Sequence, residues 1–188
     1  TNVGTIALDT IKGDADDNTN INFAGSDTIN IKPAGTTRLA INTSGVTVTG
    51  TLNAGTVKIG NQLIEKAEVI FAKLSADPDI DVDDGNVFFF GVGETANATP
   101  NITSTASNIN SIMAVGDIMT VTVIAVSTGS GYYQDVTIDG SQPSFQRWLD
   151  DDEPTSASGN GDFDVYTYTI LKTANNLFSI LANRSVFK

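Results

Sequence analysis

Four aspartates alternate with other residues over a short acidic stretch, at Asp77, Asp79, Asp81 and Asp83. In an extended chain, alternate side chains point to the same side, so these carboxylates would share one face. Calcium takes several oxygen ligands, and such a face could supply them. The competing interpretation is a solvated acidic turn, which Pro78 favours. Ca²⁺ is therefore the one cofactor that this sequence suggests.

A second acidic pattern lies near the start of the chain, where Asp14, Asp16, Asn18 and Asn20 also alternate. These residues match the first alternating ligand positions of a calcium-binding loop. The motif also requires a central glycine and a closing glutamate, and Gly25 occupies the position of that glutamate. The match is therefore incomplete, and a polar turn explains the same residues.

The acidic run Asp150–Glu153 raises the question of glycoside hydrolysis, which uses two carboxyl groups. That reaction needs the two groups on opposite sides of a cleft, with the pKa of one of them raised. Adjacent residues in a loop rich in serine and glycine do not indicate such a pair. The chain also has no histidine and no cysteine, so the usual general base and thiolate chemistry are absent. We therefore predict that the protein is not an enzyme.

Three aromatic residues, Tyr132, Tyr133 and Trp148, could form a surface on which a sugar ring stacks. Aromatic side chains also fill the cores of β domains, often with one polar edge in contact with water. Both interpretations fit the sequence. Under the first, these residues are the candidates for glycan recognition at the surface.

The charge of the chain limits its partners. The sequence has 22 acidic and 10 basic residues, which give a net charge of -12. Proteins that bind nucleic acid need basic residues to neutralise phosphates, and the densest charge runs here are acidic. No apolar run approaches the length of a membrane-spanning helix. We therefore predict neither nucleic-acid binding nor membrane insertion.

The elements that would position these residues begin with a regular ladder of glycines. Short apolar–polar–apolar triplets lie between the glycines, and this period of two is typical of strands separated by tight turns. The glycines are Gly25, Gly35, Gly45, Gly50, Gly55 and Gly60, and the triplets include Ile29–Ile31, Leu39–Ile41, Val46–Val48 and Val57–Ile59. Each triplet offers so little apolar surface that a single copy cannot offset the entropy lost on ordering. The ladder therefore predicts association with further copies, and an edge hairpin of the following domain is the alternative.

The clearest part of the ladder, Arg38–Ala54, resembles shaft segments of fibre and spike proteins from tailed bacteriophages. The resemblance covers residues 20–66 and implies an interwoven trimeric β-shaft followed by a C-terminal β-rich tip. The abundance of Gly, Thr and Asn, the lack of cysteine and the acidic tip are also similar to structural proteins of phages that infect marine cyanobacteria.

Residues 67–188 are expected to form a compact β domain. The spacing of its apolar and alternating runs is typical of sandwiches and jelly rolls. A turn at Thr173–Leu177 predicts a final antiparallel hairpin, and Gly93–Ser111 is expected to be an exposed loop. The predicted strands are Ala67–Leu74, Asn86–Val92, Asp117–Val126, Tyr133–Ile138, Phe145–Leu149, Asp164–Thr173 and Leu177–Leu181.

We therefore predict an all-β protein in three parts: a connecting segment at 1–20, a β-shaft at 21–66, and a sandwich or jelly-roll tip at 67–188. The resemblance implies a structural appendage of the virion, a tail fibre or spike. It would form a homotrimer, contact other virion proteins, and attach to a host-surface glycan or outer-membrane component. The tip loops, Gly93–Ser111 and Gln142–Gly161, are where receptor contacts are expected. The alternative function is a capsid head fibre, decoration or connecting protein without receptor binding.

Overall fold

A computed structural model describes residues 8–13, 15–25 and 27–188 of the chain. The chain divides into two compact units, Thr1–Gln62 and Leu63–Lys188. Nearly all regular structure is β-sheet, with three sheets and one short α-helix among the described residues, which confirms the all-β class. Most of the strand predicted at Thr5–Leu8, and Asp14 of the second acidic pattern, lie outside the described residues.

The N-terminal unit contains a five-stranded antiparallel meander, in which each strand pairs with the next along the chain. Glycines at positions 25, 35 and 45 adopt positive φ in the turns, a conformation that other residues rarely accept. The triplets predicted at 29–31, 39–41 and 46–48 are therefore confirmed as strands. The strands are β1 Thr10–Lys12, β2 Asn20–Phe23, β3 Ile29–Lys32, β4 Leu39–Asn42 and β5 Gly45–Val48.

The register of this meander gathers its large apolar side chains on a single face. Ile31, for example, lies between Ile21 on β2 and Leu39 on β4, while its neighbour Asn30 lies between Asn22 and Ala40. No described residue of this unit is buried, so nothing in the described part of the unit covers the apolar face. The apolar face of the N-terminal sheet comprises Ile11, Ile21, Phe23, Ile29, Ile31, Leu39, Ile41, Val46 and Val48.

The second half of the glycine ladder forms no strand. Every residue from 49 to 66 is exposed, and the triplet Val57–Ile59 makes no backbone ladder with any described residue, so that strand prediction is wrong. A triplet becomes a strand only where a neighbouring strand supplies its hydrogen bonds, and none of the strands described for this chain pairs with the segment.

The C-terminal unit consists of a six-stranded mixed sheet and a three-stranded parallel sheet that share one hydrophobic core. The elements of this unit are β6 Ala67–Ile70, β7 Asp79–Asp81, β8 Val87–Glu94, β9 Asn101–Thr103, α1 Ile109–Ile112, β10 Ile118–Thr128, β11 Thr137–Ile138, β12 Phe145–Trp148, β13 Asn160–Ala174 and β14 Leu177–Phe187. The order of strands in the six-stranded sheet is β12–β14–β13–β10–β8–β6, and in the three-stranded sheet it is β11–β9–β7. Short 3₁₀ turns lie at Pro33–Gly35, Leu74–Ala76, Val82–Asp84 and Leu149–Asp151. None of the helices among the described residues is long and apolar enough to cross a membrane.

Two expectations for this unit need correction, and one is confirmed. The hairpin at Thr173–Leu177 is confirmed, because β13 and β14 pair antiparallel with Lys172 opposite Phe178. The stretch Gly93–Ser111 is not an exposed loop, since it contains β9 and the start of α1, and Ile102 is fully buried. The strand predicted at Tyr133–Ile138 shrinks to its last two residues.

The directions of the strands bear on the choice between a sandwich and a jelly roll. All neighbours in the three-stranded sheet are parallel, as are β6, β8 and β10 in the larger sheet. Jelly rolls and immunoglobulin-like sandwiches are both built from antiparallel strands. The strand directions therefore show two sheets around a common core and do not separate the two architectures.

Three buried tyrosines occupy the middle of that core. Tyr133, Tyr166 and Tyr168 are all 0% exposed, and the ring centroids of Tyr133 and Tyr166 are 4.7 Å apart. Loss of solvent raises the pKa of all three phenols, and a hydrogen bond to Glu94 contributes further at Tyr133. For Tyr166 the pKa rises to about 12.

These shifts predict that the protein loses stability at alkaline pH. Above the ordinary tyrosine pKa of about 10, the unfolded chain releases these protons while the folded chain keeps them. With three such groups, the free energy of unfolding should fall by about 4 kcal/mol per pH unit between pH 10 and about 12. Urea unfolding across this range measures the slope. Tyr168→Phe, which removes a buried hydroxyl with no partner among the described residues, should reduce the slope by about a third; an unchanged slope would contradict the assignment.

Candidate functional site

The acidic stretch folds so that two of its four aspartates converge on one neighbouring loop. The Asp81 carboxylate accepts hydrogen bonds from the Thr105 hydroxyl at 2.6 Å and from the Thr105 N–H at 3.2 Å. The Asp83 carboxylate accepts from the Ser104 hydroxyl at 2.9 Å and from the Ala106 N–H at 2.7 Å. Both carboxylates therefore hold the 104–106 loop against the turn that follows β7.

Electrostatics agree with this role. Partial desolvation acts to raise the pKa of Asp81, but the hydrogen bonds from Thr105 and the Asp83 N–H outweigh it, so the pKa lies below its usual value. Asp79 accepts from the side-chain amide of Asn101 at 2.8 Å, and Asp77 accepts only from the Asp79 N–H. Protein donors thus reach all four carboxylates of the predicted calcium face.

The four aspartates are not brought together into one cluster. Among the described residues, no three His, Cys, Asp or Glu side chains are grouped in a way that could hold a metal ion. The calcium site at Asp77, Asp79, Asp81 and Asp83 therefore stays a prediction from the sequence.

The aromatic candidates separate between core and surface. Tyr133 is fully buried and Trp148 is 8% exposed, so of the two interpretations the core role holds for both of these residues. Trp148 packs edge-on against Tyr166 and Tyr168, at 6.4 and 6.3 Å between ring centroids. Only Tyr132 is partly exposed. Their position follows from β-core packing, in which large rings fill the space between two sheets.

A cleft of about 710 Å³ lies at the end of the C-terminal unit where β13 begins and β14 ends. One wall is the loop 152–159, within the segment Gln142–Gly161 where receptor contacts are expected. The other wall carries Arg184 and Lys188 from β14 and the residue after it.

The loop wall of this cleft is held in place at several points. The Arg184 guanidinium donates to the Ser156 carbonyl at 2.7 Å and forms an ion pair with Asp164 at 3.2 Å. The Ser127 hydroxyl donates to the Ser158 carbonyl at 3.2 Å, and the Gly159 N–H donates to Asp162 at 2.7 Å. A wall fixed in this way loses little entropy when a ligand binds.

The chemistry of the cleft is polar and mixed in charge. Asp152, Glu153 and Asp162 supply carboxylates, while Arg184 and Lys188 supply cations. Hydroxyls and backbone groups from residues 155–159 line the space between them. Such a set of donors and acceptors fits a polyhydroxylated ligand better than an apolar one.

The sequence interpretation missed the buried ion pair behind the cleft. Asp164 is 3% exposed and belongs to the same alternating set as Tyr166 and Ile170, which all face the core. A carboxylate at a core position of an alternating strand signals a buried partner, since unpaired charges are rarely buried. Arg184, opposite Tyr166 on β14, is that partner.

Glu94 is the second residue that the sequence interpretation missed. Its carboxylate is 3% exposed and accepts hydrogen bonds at 2.6 Å from both the Leu74 N–H and the Tyr133 hydroxyl. The Ser75 N–H donates to the same carboxylate at 3.3 Å. This carboxylate therefore joins β8, the turn after β6, and the loop before β11.

Comparison of the chain with protein-family models, with curated proteins and with solved structures finds no match.

Proposed function

We propose that the chain is a structural appendage of a virion, a tail fibre or spike from a tailed bacteriophage. Residues up to 66 assemble three copies, and the C-terminal unit is a β-sandwich tip that attaches to a glycan or outer-membrane component of the host surface. The observation that carries the proposal is the N-terminal sheet with its apolar face uncovered.

A single sheet of this kind needs a partner. A β-sheet becomes stable when its apolar face packs against another layer, and here no described residue of the unit is buried. Nine registered apolar side chains form a surface that identical copies can cover, because each copy presents the same shape and no charge. Three faces directed at one axis bury all of them.

The segment 49–66 has a separate part in this proposal. It is exposed along its whole length, although it carries apolar side chains such as Leu52, Val57 and Leu63. Within the described part of one chain, no strand pairs with these residues. Interweaving between copies would provide both the backbone partners and the burial, as in the shafts that this segment resembles.

The polar cleft supports attachment to a glycan. The carboxylates and hydroxyls of the cleft match the hydrogen-bonding groups of a sugar, and hydrogen bonds hold the loop 152–159 that carries several of them in place. Three weak sites on one trimer raise the overall affinity through effective concentration alone.

Mass and glycan binding test the proposal together. Light scattering of the full chain at micromolar concentration should give three times the mass of one chain, and the trimer should bind surface polysaccharides on a glycan array. Thr155→Arg, which adds a long side chain to the cleft wall, should abolish binding, while Thr173→Arg, at the opposite end of β13, should not.

Three results would count against parts of this proposal. A monomeric mass would overturn the trimeric shaft. A trimer that binds no glycan would favour the head fibre, decoration or connecting protein. Release of reducing sugars with turnover would make the protein an enzyme.

A further inference from the structure

The larger sheet of the C-terminal unit has an outer face that no part of the unit covers. The alternation along β13 places Tyr166, Tyr168 and Ile170 in the core, and it places Val165 and Thr167 on the opposite face. The outer face of the six-stranded sheet comprises Ala67, Val69, Val87, Phe89, Ile118, Thr120, Thr122, Ile124, Val126, Phe145, Arg147, Phe163, Val165, Thr167, Thr169, Leu171, Ser179, Leu181, Asn183, Ser185 and Phe187.

Large apolar side chains on this face are in contact with solvent. Val69 is 48% exposed, Leu181 and Phe187 are each 59% exposed, and Phe163 is 42% exposed. The rings of Phe89 and Phe163 stack on each other with their centroids 6.3 Å apart. Soluble monomers rarely expose contiguous apolar surface on this scale, so it marks an interface.

The charge pattern of the outer face favours a further copy of this chain as its partner. In a chain with 22 acidic residues, the strands of this face place no carboxylate on it and a single cation, Arg147 on the edge strand β12. The turn after β12 adds one carboxylate, Asp150, at that edge, where it lines a hollow together with Arg147 and Leu181. Two copies of a protein with a net charge of -12 repel each other wherever their acidic surfaces meet. Over the rest of the outer face they can approach without that repulsion.

The size of the face also suits a stable interface. The three long strands β10, β13 and β14 pair over about eleven residues, and β6, β8 and β12 pair over about four each; at about 3.3 Å per residue and 4.8 Å between strands the face has an area near 700 Å². Specific interfaces bury about 800 Å² on each partner. The area of the outer face is thus close to the area that each partner buries in a specific interface.

We infer that the C-terminal units associate with one another through the outer face of the six-stranded sheet, each face covered by further copies of this chain. The inference rests on the proposed homotrimer for its partner and adds a second interface to it. In the assembled protein, β10 and β13, the central strands of the sheet, lie nearest the symmetry axis.

Site-specific cross-linking tests this arrangement, because the full chain has no native cysteine. Thr167→Cys and Thr122→Cys place a thiol at the middle of the outer face, on paired positions of β13 and β10. Ser141→Cys is the control, because it places a thiol on an exposed loop after β11, in the other sheet of the unit. If the shaft alone holds the C-terminal units near one another, this thiol is brought near its copies just as the outer-face thiols are. With a bis-maleimide reagent, the first two should cross-link between chains about ten-fold faster than Ser141→Cys, because a thiol at the axis meets its copy at higher effective concentration.

A fourth variant separates this inference from the proposed function. Ile31→Cys reports on the N-terminal sheet independently. If Ile31→Cys cross-links while Thr167→Cys and Thr122→Cys only match Ser141→Cys, the outer-face interface is overturned and the shaft stands. If the outer-face cysteines cross-link and Ile31→Cys does not, the outer-face interface stands and shaft assembly fails. Two outer-face positions keep the test decisive if one variant misfolds.

Discussion

Replacing Ile31 with aspartate is expected to weaken assembly strongly, so that the trimer dissociates at a much higher protein concentration than the wild type. Ile31 lies on β3, the middle strand of the N-terminal sheet, with Ile21 and Leu39 as its neighbours on the same face. In the proposed trimer this position meets its own copies at a shared apolar core. Three carboxylates would then be brought together without water or a counter-ion, at a cost of several kcal/mol each.

The expected size of the effect is large. A loss of about 3 kcal/mol per copy weakens association more than 100-fold at each contact, so the protein concentration at which the trimer dissociates should rise more than 100-fold. Light scattering of the full chain over a dilution series measures this concentration. Urea unfolding of Ile31→Asp, followed by the fluorescence of Trp148, should remain close to the wild type, because Trp148 lies in the other unit.

A matched control lies one residue away. Asn30 has its side chain on the polar face of the same strand, opposite Ala40. Asn30→Asp adds the same charge at the same place along the chain and should leave the dissociation concentration of the trimer unchanged. If neither variant raises that concentration, the apolar face is not an interface. If both raise it equally, charge alone explains the loss.

The strands of this protein could largely be predicted from local patterns. Val121 and Val123 alternate with threonines on β10, and β13 alternates tyrosines with threonines, so period and propensity agree there. The ladder triplets at 29–31 and 39–41 became strands because a glycine turn returned each one to its neighbour. The identical pattern at Val57–Ile59 did not, because pairing depends on what lies beside a strand and no sequence window contains that information.

The parallel pairing of short strands was the largest feature of the fold that the sequence did not predict. β7, β9 and β11 are two or three residues long and lie far apart in sequence, yet they form one sheet. No local signal marks a two-residue strand such as Thr137–Ile138, since its regularity comes entirely from its partner. The ion pair of Asp164 and Arg184 also could not be predicted from local sequence, because these residues lie 20 residues apart and meet only through the β13–β14 register.

The candidate sites show where a pattern of residue types is ambiguous. Alternating aspartates at 77–83 fit an extended face of ligands, but a 3₁₀ turn at Val82–Asp84 ends that extension. Asp81 and Asp83 then find hydroxyl and N–H donors in the 104–106 loop instead. The alternating spacing thus indicated that Asp81 and Asp83 act together. It did not indicate that their partner is the 104–106 loop.

Replacing Glu94 with alanine is expected to produce the largest loss of stability of any single change in the C-terminal unit. Its carboxylate is the acceptor for the Leu74 N–H, the Ser75 N–H and the Tyr133 hydroxyl, and Leu74 and Tyr133 are fully buried. Each buried donor left without an acceptor costs about 1–3 kcal/mol, so Glu94→Ala should lose roughly 3–5 kcal/mol. Domains of this size are stable by only about 5–15 kcal/mol.

Companion variants show whether the carboxylate acts through these three donors. Tyr133→Phe removes one donor and leaves Glu94 bonded to the backbone, so it should cost about 1–2 kcal/mol. Glu65→Ala removes an exposed glutamate and should change stability by less than about 0.5 kcal/mol. Urea unfolding followed by the fluorescence of Trp148, the single tryptophan, reports on the core that these residues hold together. If Glu94→Ala unfolds at the same urea concentration as Glu65→Ala, water replaces the carboxylate without cost, and the turn at Leu74–Ala76 is held by the packing of Leu74 alone.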